Sequence, residues 1–308
     1  MIKKILIINL IFILSIISCS KKQDKITITY VKAPLNVPSI IERNKGIFSN
    51  SFKKHNISVE YSTLTTGPEQ TQALASGDIQ FLYAVGATSV ILAKANGLDI
   101  KILNTYSRAP EAYILFSKDK GFTSSQEVRG KKVAGPKGTI LHELLVAYLN
   151  TLGLKENDIE FISMGIPEAQ SALASGAVDM ALIAGPSAYN MSKEGYNIVT
   201  TAKGLIEPVI VVATSEKFYL NNKEIVKEFI NAQREVLEYI NSNYDEAMKI
   251  SAEETGLNIE AVEEMYRLYD FSLDITDKDI ESMKKTELFM LENKMIENSV
   301  DIEELIIK

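Results

Sequence analysis

Five loops in the sequence place a glycine next to the expected start of a helix, a combination that suits binding of small anions. They read TTGPE, GATS, PKGT, MGIPE and AGPS, and their glycines are Gly67, Gly86, Gly138, Gly165 and Gly185. The first N–H groups of a helix lack intrahelical partners and carry partial positive charge, which favours sulfonate, sulfate, nitrate or carboxylate. A glycine lets such a ligand approach the backbone. Each glycine alone could simply form a tight turn without contacting a ligand. Five such loops together favour one shared cleft.

Further candidate ligand-binding residues lie beside these glycines or after the first expected strand. They are Lys32, Ala33, Thr66, Ala87, Thr88, Lys137, Thr139, Ile166 and Pro186. The threonine hydroxyls are possible donors to an anion, although helix capping alone would explain Thr66 and Thr139. Arg108, in YSRAPEAY, is a candidate bidentate clamp for an anion, and a surface arginine without a ligand is the alternative.

The sequence contains no recognisable catalytic or metal motif. A G-x-S-x-G elbow is absent, and GKKVAGPKGT has the glycine spacing of a P-loop but holds Pro136 where the phosphate-binding lysine should stand. The two histidines, His55 and His142, lack the spacing of a zinc helix, and a single cysteine excludes disulfides and thiolate metal cages. We therefore expect no catalytic residue, no metal and no cofactor. An enzyme that uses the same cleft remains the alternative, and it would need a paired acid and base.

The first 18 residues are typical of a secretion signal. The basic head MIKK precedes an apolar run of about 13 residues, which is shorter than the ~20 needed to cross a bilayer. The run ends in IISC, which resembles the lipobox of bacterial lipoproteins with Cys19 as the lipidated residue. An ordinary signal peptide with a chance cysteine is the alternative. We predict a signal peptide over residues 1–18 and a lipidated cysteine with a polar tether over 19–25.

The charge of the chain excludes one class of partner. The formal net charge is −7, and removal of Lys3 and Lys4 with the signal peptide would make it −9. Proteins that bind nucleic acids concentrate lysine and arginine on one surface, and the sequence has no such basic patch. We therefore expect no nucleic acid partner.

One stretch of the sequence occurs twice, which predicts two lobes of the same plan. EQTQALASGDIQF and EAQSALASGAVDM both contain ALASG, starting at Ala73 and Ala172, 99 positions apart. Each copy has the pattern of a helix that ends at glycine, followed by a short apolar strand. Thr66 and Glu69 form a candidate capping box before the first of these helices.

The surrounding pattern predicts an α/β fold with a helical C-terminal part. Strand and helix alternate around both copies, which indicates parallel or mixed sheets covered by helices. Two proline-containing segments, SRAPEAYILF and GLIEPVIVV, are the expected crossings between the lobes. We therefore predict lobe 1 over residues 26–107 and 213–308 and lobe 2 over 108–212. The segments after Pro208 have helical periodicity and would cover the lobes.

In this order, the motifs resemble the substrate-binding proteins of bacterial ABC importers. The carriers are GPEQTQALASGDIQF, VRGKKVAGPKGTILHELL, ALASGAVDMALIAGPSAY and ENKMIENSVDIEELI, and the resemblance covers nearly all of the chain after Cys19. The similar branch includes binders of alkanesulfonates, taurine, nitrate and thiamine-precursor pyrimidines. The resemblance implies a clamshell of the type II periplasmic-binding-protein kind, with a hinge between lobes. It also implies delivery of one small solute to a permease and its ATPase. Together with the lipobox, it leads us to expect a monomer anchored at the outer face of the cell membrane.

Several ligands and functions remain open at this point. Small, mostly uncharged loops suit an anion with a short alkyl tail, such as an alkanesulfonate or taurine. An aromatic solute would need stacking partners, and Tyr30, Tyr83, Tyr106 and Tyr189 lie near the predicted loops. A sensory ectodomain is a further alternative to the importer component.

Overall fold

The computed structural model describes residues 23–31, 35–64 and 66–307, in which ten strands alternate with fourteen α-helices. The strands are β1 (Lys25–Thr29), β2 (Ser58–Ser62), β3 (Leu82–Gly86), β4 (Lys101–Arg108), β5 (Tyr113–Ser117), β6 (Lys132–Gly135), β7 (Glu160–Ser163), β8 (Met180–Ala184), β9 (Asn197–Thr201) and β10 (Val209–Thr214). The helices are α1 (Val37–Lys45), α2 (Ile47–Lys53), α3 (Gly67–Ser76), α4 (Ala87–Ala95), α5 (Ser125–Val128), α6 (Ile140–Thr151), α7 (Ile166–Ser175), α8 (Gly185–Lys193), α9 (Glu216–Asn221), α10 (Lys223–Ser242), α11 (Tyr244–Thr255), α12 (Ile259–Tyr266), α13 (Asp277–Glu292) and α14 (Ile302–Leu305).

The strands form two sheets of the same plan, one in each lobe. In lobe 1, β1 pairs with β2 in parallel, β10 pairs with β3 and β4 in antiparallel fashion, and a parallel bridge between Ile28 and Phe81 joins the two parts. The resulting order is β2-β1-β3-β10-β4. In lobe 2 the order is β7-β6-β8-β5-β9, with β6 parallel to both neighbours and β5 antiparallel to both. The predicted pair of similar α/β lobes is confirmed.

The duplicated sequence occupies the same place in both lobes. ALASG forms the end of α3 and of α7, and each helix is closed by a glycine in the left-handed region, Gly77 with φ 84° and Gly176 with φ 78°. Residues other than glycine adopt this conformation at an energetic cost, so the repeated glycine is explained by the backbone. A buried strand follows each helix, β3 after α3 and β8 after α7, and another helix follows each strand.

Two short segments cross between the lobes, residues 109–112 and residues 202–208. Both segments lie on the proline-containing stretches of the sequence, but the strand pairing gives lobe boundaries that differ from the predicted ones. β10 pairs with β3 and β4 of lobe 1, so the predicted extension of lobe 2 to residue 212 is wrong, and lobe 1 resumes at Val209. Arg108 closes β4 and therefore also belongs to lobe 1.

Helices cover the sheets, as predicted for the C-terminal part. Helix α10 packs against α1 and α2, α13 packs against α4 and β10, and α12 contacts α8 of lobe 2. Every residue of β5, β8 and β10 is buried, as expected for central strands with helices on both faces. No helix in the described residues is both long and apolar enough to cross a membrane.

Candidate functional site

A cleft between the lobes collects the starts of five helices. Its empty space is about 560 Å³, including space open to solvent. The described wall consists of Val31, Asn36, Thr66, Gly67, Gln70, Ala84, Gly86, Ser89, Tyr113, Pro136, Thr139, Ile140, Leu141, Ile166 and Ile210. Helices α1, α3 and α4 begin at this wall from lobe 1, and α6 and α7 begin there from lobe 2. Their N-termini give the cleft a positive electrostatic character.

The start of α6 presents backbone donors to the cleft. Thr139 is the N-cap residue, but its hydroxyl donates to the carbonyl oxygen of Pro136 at 2.8 Å and does not cap the helix. The N–H groups of Ile140 and Leu141, in the first turn, find no acceptor in the described part of the chain. These two groups are available to an anion.

The start of α3 is organised by a complete capping box. Glu69 N–H donates to Thr66 Oγ1 at 3.4 Å, and Thr66 N–H donates to Glu69 Oε2 at 3.0 Å, as predicted. Thr66 is therefore a helix cap that also lies in the wall of the cleft. Gly67 is required for packing, because a Cβ there would lie 2.1 Å from Ser89 Oγ.

The described wall of the cleft contains no lysine, arginine, histidine or carboxylate. Its one titratable group is the Tyr113 hydroxyl, and burial raises the pKa of Tyr113 well above its usual value, so this group stays neutral. Polar contacts therefore come from backbone N–H groups, hydroxyls and the amides of Asn36 and Gln70. Such a wall suits a small anion with an apolar portion.

Two glycines allow the lobes to approach closely. A Cβ on Gly86 would lie 3.1 Å from Ile140 Cδ1 across the cleft, and a Cβ on Gly138 would lie 2.9 Å from Leu92 Cδ2. Gly138 has φ 71°, and its carbonyl oxygen accepts a hydrogen bond from Ser89 Oγ at 2.7 Å. Gly138 thus holds lobe 2 against lobe 1 at the edge of the cleft.

Apart from Arg108 and Lys137, the predicted site residues divide into four groups. The structure places Thr66, Gly67, Gly86, Thr139 and Ile166 together in the wall of the cleft. Directly behind the wall lie residues that pack or join the lobes: Ala87, Thr88, Gly138 and Gly165. Gly185 and Pro186 begin α8 and are outside the described wall. Lys32, Ala33 and Cys19 lie outside the described residues.

Two of the predicted cationic residues, Lys137 and Arg108, lie in the described part of the chain, and both have carboxylate partners away from the cleft. Lys137 Nζ lies 3.1 Å from Glu156 Oε1 in a separate groove, where His142 Nε2 contacts the other carboxylate oxygen at 2.6 Å. The His142 contact, together with Lys137, lowers the pKa of Glu156 to about 2. Arg108 donates to Asp279 and Asp270 on the far side of β4. The expected clamp at Arg108 is not part of the described wall.

Glu143 links the two lobes behind the cleft. This buried residue of α6 accepts hydrogen bonds from Thr88 Oγ1 at 2.5 Å and from Thr286 Oγ1 at 2.9 Å, and both threonines belong to lobe 1. Burial raises the pKa of Glu143, and the two hydroxyl donors only partly oppose that effect. The sequence had offered Thr88 as a ligand donor, but its hydroxyl is used in this interlobe contact.

Replacing Glu143 separates its hydrogen-bonding role from its charge. We expect Glu143→Ala to lower the free energy of unfolding by about 1–3 kcal/mol, because two buried hydroxyls lose their acceptor. Glu143→Gln keeps an acceptor and a donor and should leave the free energy of unfolding at pH 7 nearly unchanged.

The pH dependence of this contribution follows from the raised pKa of Glu143. Between the unfolded-state and folded-state pKa values, the folded protein retains a proton that the unfolded chain has lost. The contribution of Glu143 to stability therefore falls as the pH rises above ~4.3, and Glu143→Gln removes this dependence. Urea unfolding between pH 4 and 8 measures both effects, and equal losses in the two variants would contradict them.

The sequence did not single out Asn36, Gln70, Ser89 or Tyr113. Asn36 precedes a helix that begins with proline at its second position, and Gln70 lies one turn after the Thr66 cap. Both positions carry a local signal for the start of a helix. Ser89 lies in the GATS loop, but its partner Gly138 is 49 positions away, so its role depends on tertiary structure.

A profile described as NMT1/THI5 like matches residues 38–247, more than half of the chain. The chain belongs to the NMT1/THI5-like family. The sequence is 26% identical to a candidate aliphatic sulfonates-binding protein of Bacillus subtilis over 274 residues, 87% of this chain and 82% of that protein. It is 25% identical to the taurine-binding periplasmic protein of Escherichia coli over 185 residues, 58% of this chain and 57% of that protein.

Solved structures related to this NMT1/THI5-like chain show the same fold. The alkanesulfonate-binding protein SsuA of Xanthomonas axonopodis pv. citri, bound to MOPS, superposes with a TM-score of 0.83 at 19% identity, covering 93% of this chain and 99% of that one. The resemblance to importer-linked binding proteins and the two-lobed fold that it implied are therefore confirmed.

Proposed function

We propose that this protein is the solute-binding component of an ABC importer and captures a small organic anion between its lobes. The observation that carries the proposal is the convergence of five helix N-termini on a cleft whose described wall has no charged side chain. Backbone N–H groups from both lobes supply the donors that an anion needs. The apolar side chains of Ile140, Ile166 and Ile210 supply contacts for a short hydrocarbon portion.

Within this class, we propose an alkanesulfonate. A sulfonate has three acceptor oxygens, which matches several separate helix starts better than a planar carboxylate does. The relatives from Bacillus subtilis and Escherichia coli carry names that refer to aliphatic sulfonates and taurine, and SsuA carries the sulfonate MOPS. These names support the choice of ligand.

An aromatic solute such as a pyrimidine is less well supported. Tyr30, Tyr83 and Tyr106 are buried in lobe 1, where Tyr83 packs edge-on against Tyr106 with ring centroids 4.8 Å apart. Tyr189 lies beside Lys193 on α8, outside the described wall. Tyr113 is the one aromatic ring in that wall, so a stacked arrangement between two rings is not available there.

The proposed mechanism is closure of a hinge around the ligand. The crossings at residues 109–112 and 202–208 connect the lobes, and contacts such as Ser89 with Gly138 and Thr88 with Glu143 join them when they meet. A ligand that receives hydrogen bonds from both lobes stabilises the closed form. The permease would then recognise the closed pair of lobes.

We also propose that the protein acts as a monomer at the outer face of the cell membrane. Residues 1–18 would direct export, and a lipid on Cys19 would anchor the mature chain, with residues 20–25 as tether. The partners would be a membrane permease and its ATPase. The IISC motif and the similarity to a periplasmic protein support this proposal.

A thermal-shift panel tests the proposed function. The panel consists of ethanesulfonate, taurine, nitrate, sulfate, an aminomethyl-pyrimidine and riboflavin. At a hundred times its dissociation constant, a ligand adds about 2.7 kcal/mol to the free energy of unfolding, which raises Tm by about 5–10 °C for a protein of this size. We expect sulfonates to raise Tm and the pyrimidine and riboflavin to leave it unchanged. A shift with the pyrimidine alone would overturn the choice of ligand, and no shift with any anion would contradict the proposed anion site.

A further inference from the structure

Two buried amide oxygens in the wall of the cleft have no hydrogen-bond donor. Asn36 is 1% exposed and Gln70 is 2% exposed, and no donor in the described part of the chain reaches Asn36 Oδ1 or Gln70 Oε1. The orientation of the Asn36 amide is fixed, because Nδ2 donates to the carbonyl oxygen of Val31 at 2.8 Å. Its oxygen is therefore left as a buried acceptor on a residue that lines the cleft.

An anionic group cannot satisfy these two oxygens. Sulfonate oxygens only accept hydrogen bonds, and they are best placed at the helix starts, where N–H donors are available. Buried acceptors in native proteins nearly always have a partner, since an unpaired one has lost its hydration without compensation. Because Asn36 and Gln70 line the cleft, a donor that enters it, on the ligand or as water, is the partner that their oxygens would accept from.

We propose that the natural ligand carries an uncharged hydrogen-bond donor, a hydroxyl or an amide N–H, close to its anionic group, and that Asn36 and Gln70 accept from it. The inference rests on the proposed function and narrows its ligand class to hydroxy- or amido-alkanesulfonates. An ammonium group fits less well. The described wall has no carboxylate to balance a buried cation, and neutral acceptors alone do not compensate its loss of hydration.

The test compares three ligands that share a two-carbon chain by isothermal titration calorimetry: 2-hydroxyethanesulfonate, ethanesulfonate and taurine. We expect the hydroxyl compound to bind about tenfold more tightly than ethanesulfonate, the contribution of one or two neutral hydrogen bonds. Taurine, whose second group is an ammonium, should bind more weakly than the hydroxyl compound. Equal affinity of hydroxyethanesulfonate and ethanesulfonate would overturn the inference, as would a preference for taurine.

Variants assign the effect to the two amides. Gln70→Met has nearly the same shape and should reduce the affinity for hydroxyethanesulfonate severalfold more than the affinity for ethanesulfonate. Asn36→Leu should do the same. Gln233→Met is the matched control, because Gln233 is a buried glutamine of α10, outside the cleft, whose side chain also has no partner among the described residues. It should leave the ratio of the two affinities unchanged.

The outcomes separate the inference from the proposed function. If the unmodified protein binds neither sulfonate, the proposed function fails and the inference fails with it. If it binds both with equal affinity, or if Gln70→Met weakens both equally, only the inference fails, and water rather than a ligand donor would then be the partner of the two amides.

Discussion

Gly86→Val is expected to lower the affinity for a small anionic ligand by about 100-fold or more while the protein remains folded. Gly86 lies between β3 and α4 in the wall of the cleft, with φ −64°, a value that valine adopts without strain. A Cβ at this position would lie 3.1 Å from Ile140 Cδ1 of the other lobe, and two further methyl groups would occupy the ligand space. The lobes then cannot close fully around a ligand. Overpacking of this kind costs about 1–3 kcal/mol, and occasionally more.

Calorimetric titration with the ligand found in the thermal-shift panel measures this effect, and circular dichroism shows whether the fold is intact. Ala75→Val is the matched control, because Ala75 is exposed on α3 and its added volume lies away from the cleft. The control should bind as the unmodified protein does. Affinity of Gly86→Val within about twofold of the unmodified protein would place the ligand elsewhere.

Arg108→Met is expected to lower the free energy of unfolding by about 3–5 kcal/mol, because it leaves a buried carboxylate without its cation. Arg108 Nε and Nη2 donate to the two oxygens of Asp279, each at 2.5 Å, and Nη1 donates to Asp270 at 3.1 Å. The side chain of Asp279 is only 3% exposed. This arginine therefore ties β4 to the start of α13 and stabilises lobe 1.

The pH dependence of this contribution follows from Asp279. Burial alone would raise its pKa, but the hydrogen bonds from Arg108 and Thr276 outweigh burial, and the pKa of Asp279 is lowered. The contribution is therefore complete above the unfolded-state pKa of ~3.9 and is lost as the pH falls through the lower folded-state value. Urea unfolding at pH 7 and pH 3 should show a smaller difference between Arg108→Met and the unmodified protein at the lower pH.

A comparison with an exposed ion pair strengthens this test. Arg129 contacts Asp158 but is 60% exposed, so Arg129→Met should change stability by less than about 1 kcal/mol. Ligand affinity of Arg108→Met, measured where the variant is folded, should remain within about twofold. A large loss of affinity there, with little change in stability, would support the anion clamp that the sequence suggested and contradict the structural role.

Features set by neighbouring residues were predictable from the sequence. The ALASG repeat identified two equivalent helices, since each ends at a left-handed glycine that only the local backbone requires. The Thr66–Glu69 capping box was predicted for the same reason, because both partners lie within one helical turn. Strand and helix periodicity predicted the two α/β lobes. The glycine-containing loops at the starts of helices predicted five residues that lie in the described wall, namely Thr66, Gly67, Gly86, Thr139 and Ile166.

Features set by distant residues were not predictable. The sequence suggests Arg108 as an anion clamp, but the structure places the Asp279 carboxylate, 171 positions away in sequence, beside its guanidinium group. In the same way, Thr88 contacts Glu143, which in turn contacts Thr286 from a C-terminal helix. The second lobe boundary was misplaced because strand pairing, rather than the apolar pattern of β10, decides which sheet that strand joins.

A crystal structure with bound ethanesulfonate tests the central claim most directly, because it locates the anion. We expect the sulfonate between the lobes, with its oxygens about 3 Å from backbone nitrogens at the helix starts, including Ile140 or Leu141 from lobe 2 and at least one helix start from lobe 1. A sulfonate held instead by Lys137 in the groove beside His142, or on the surface of one lobe, would contradict the account.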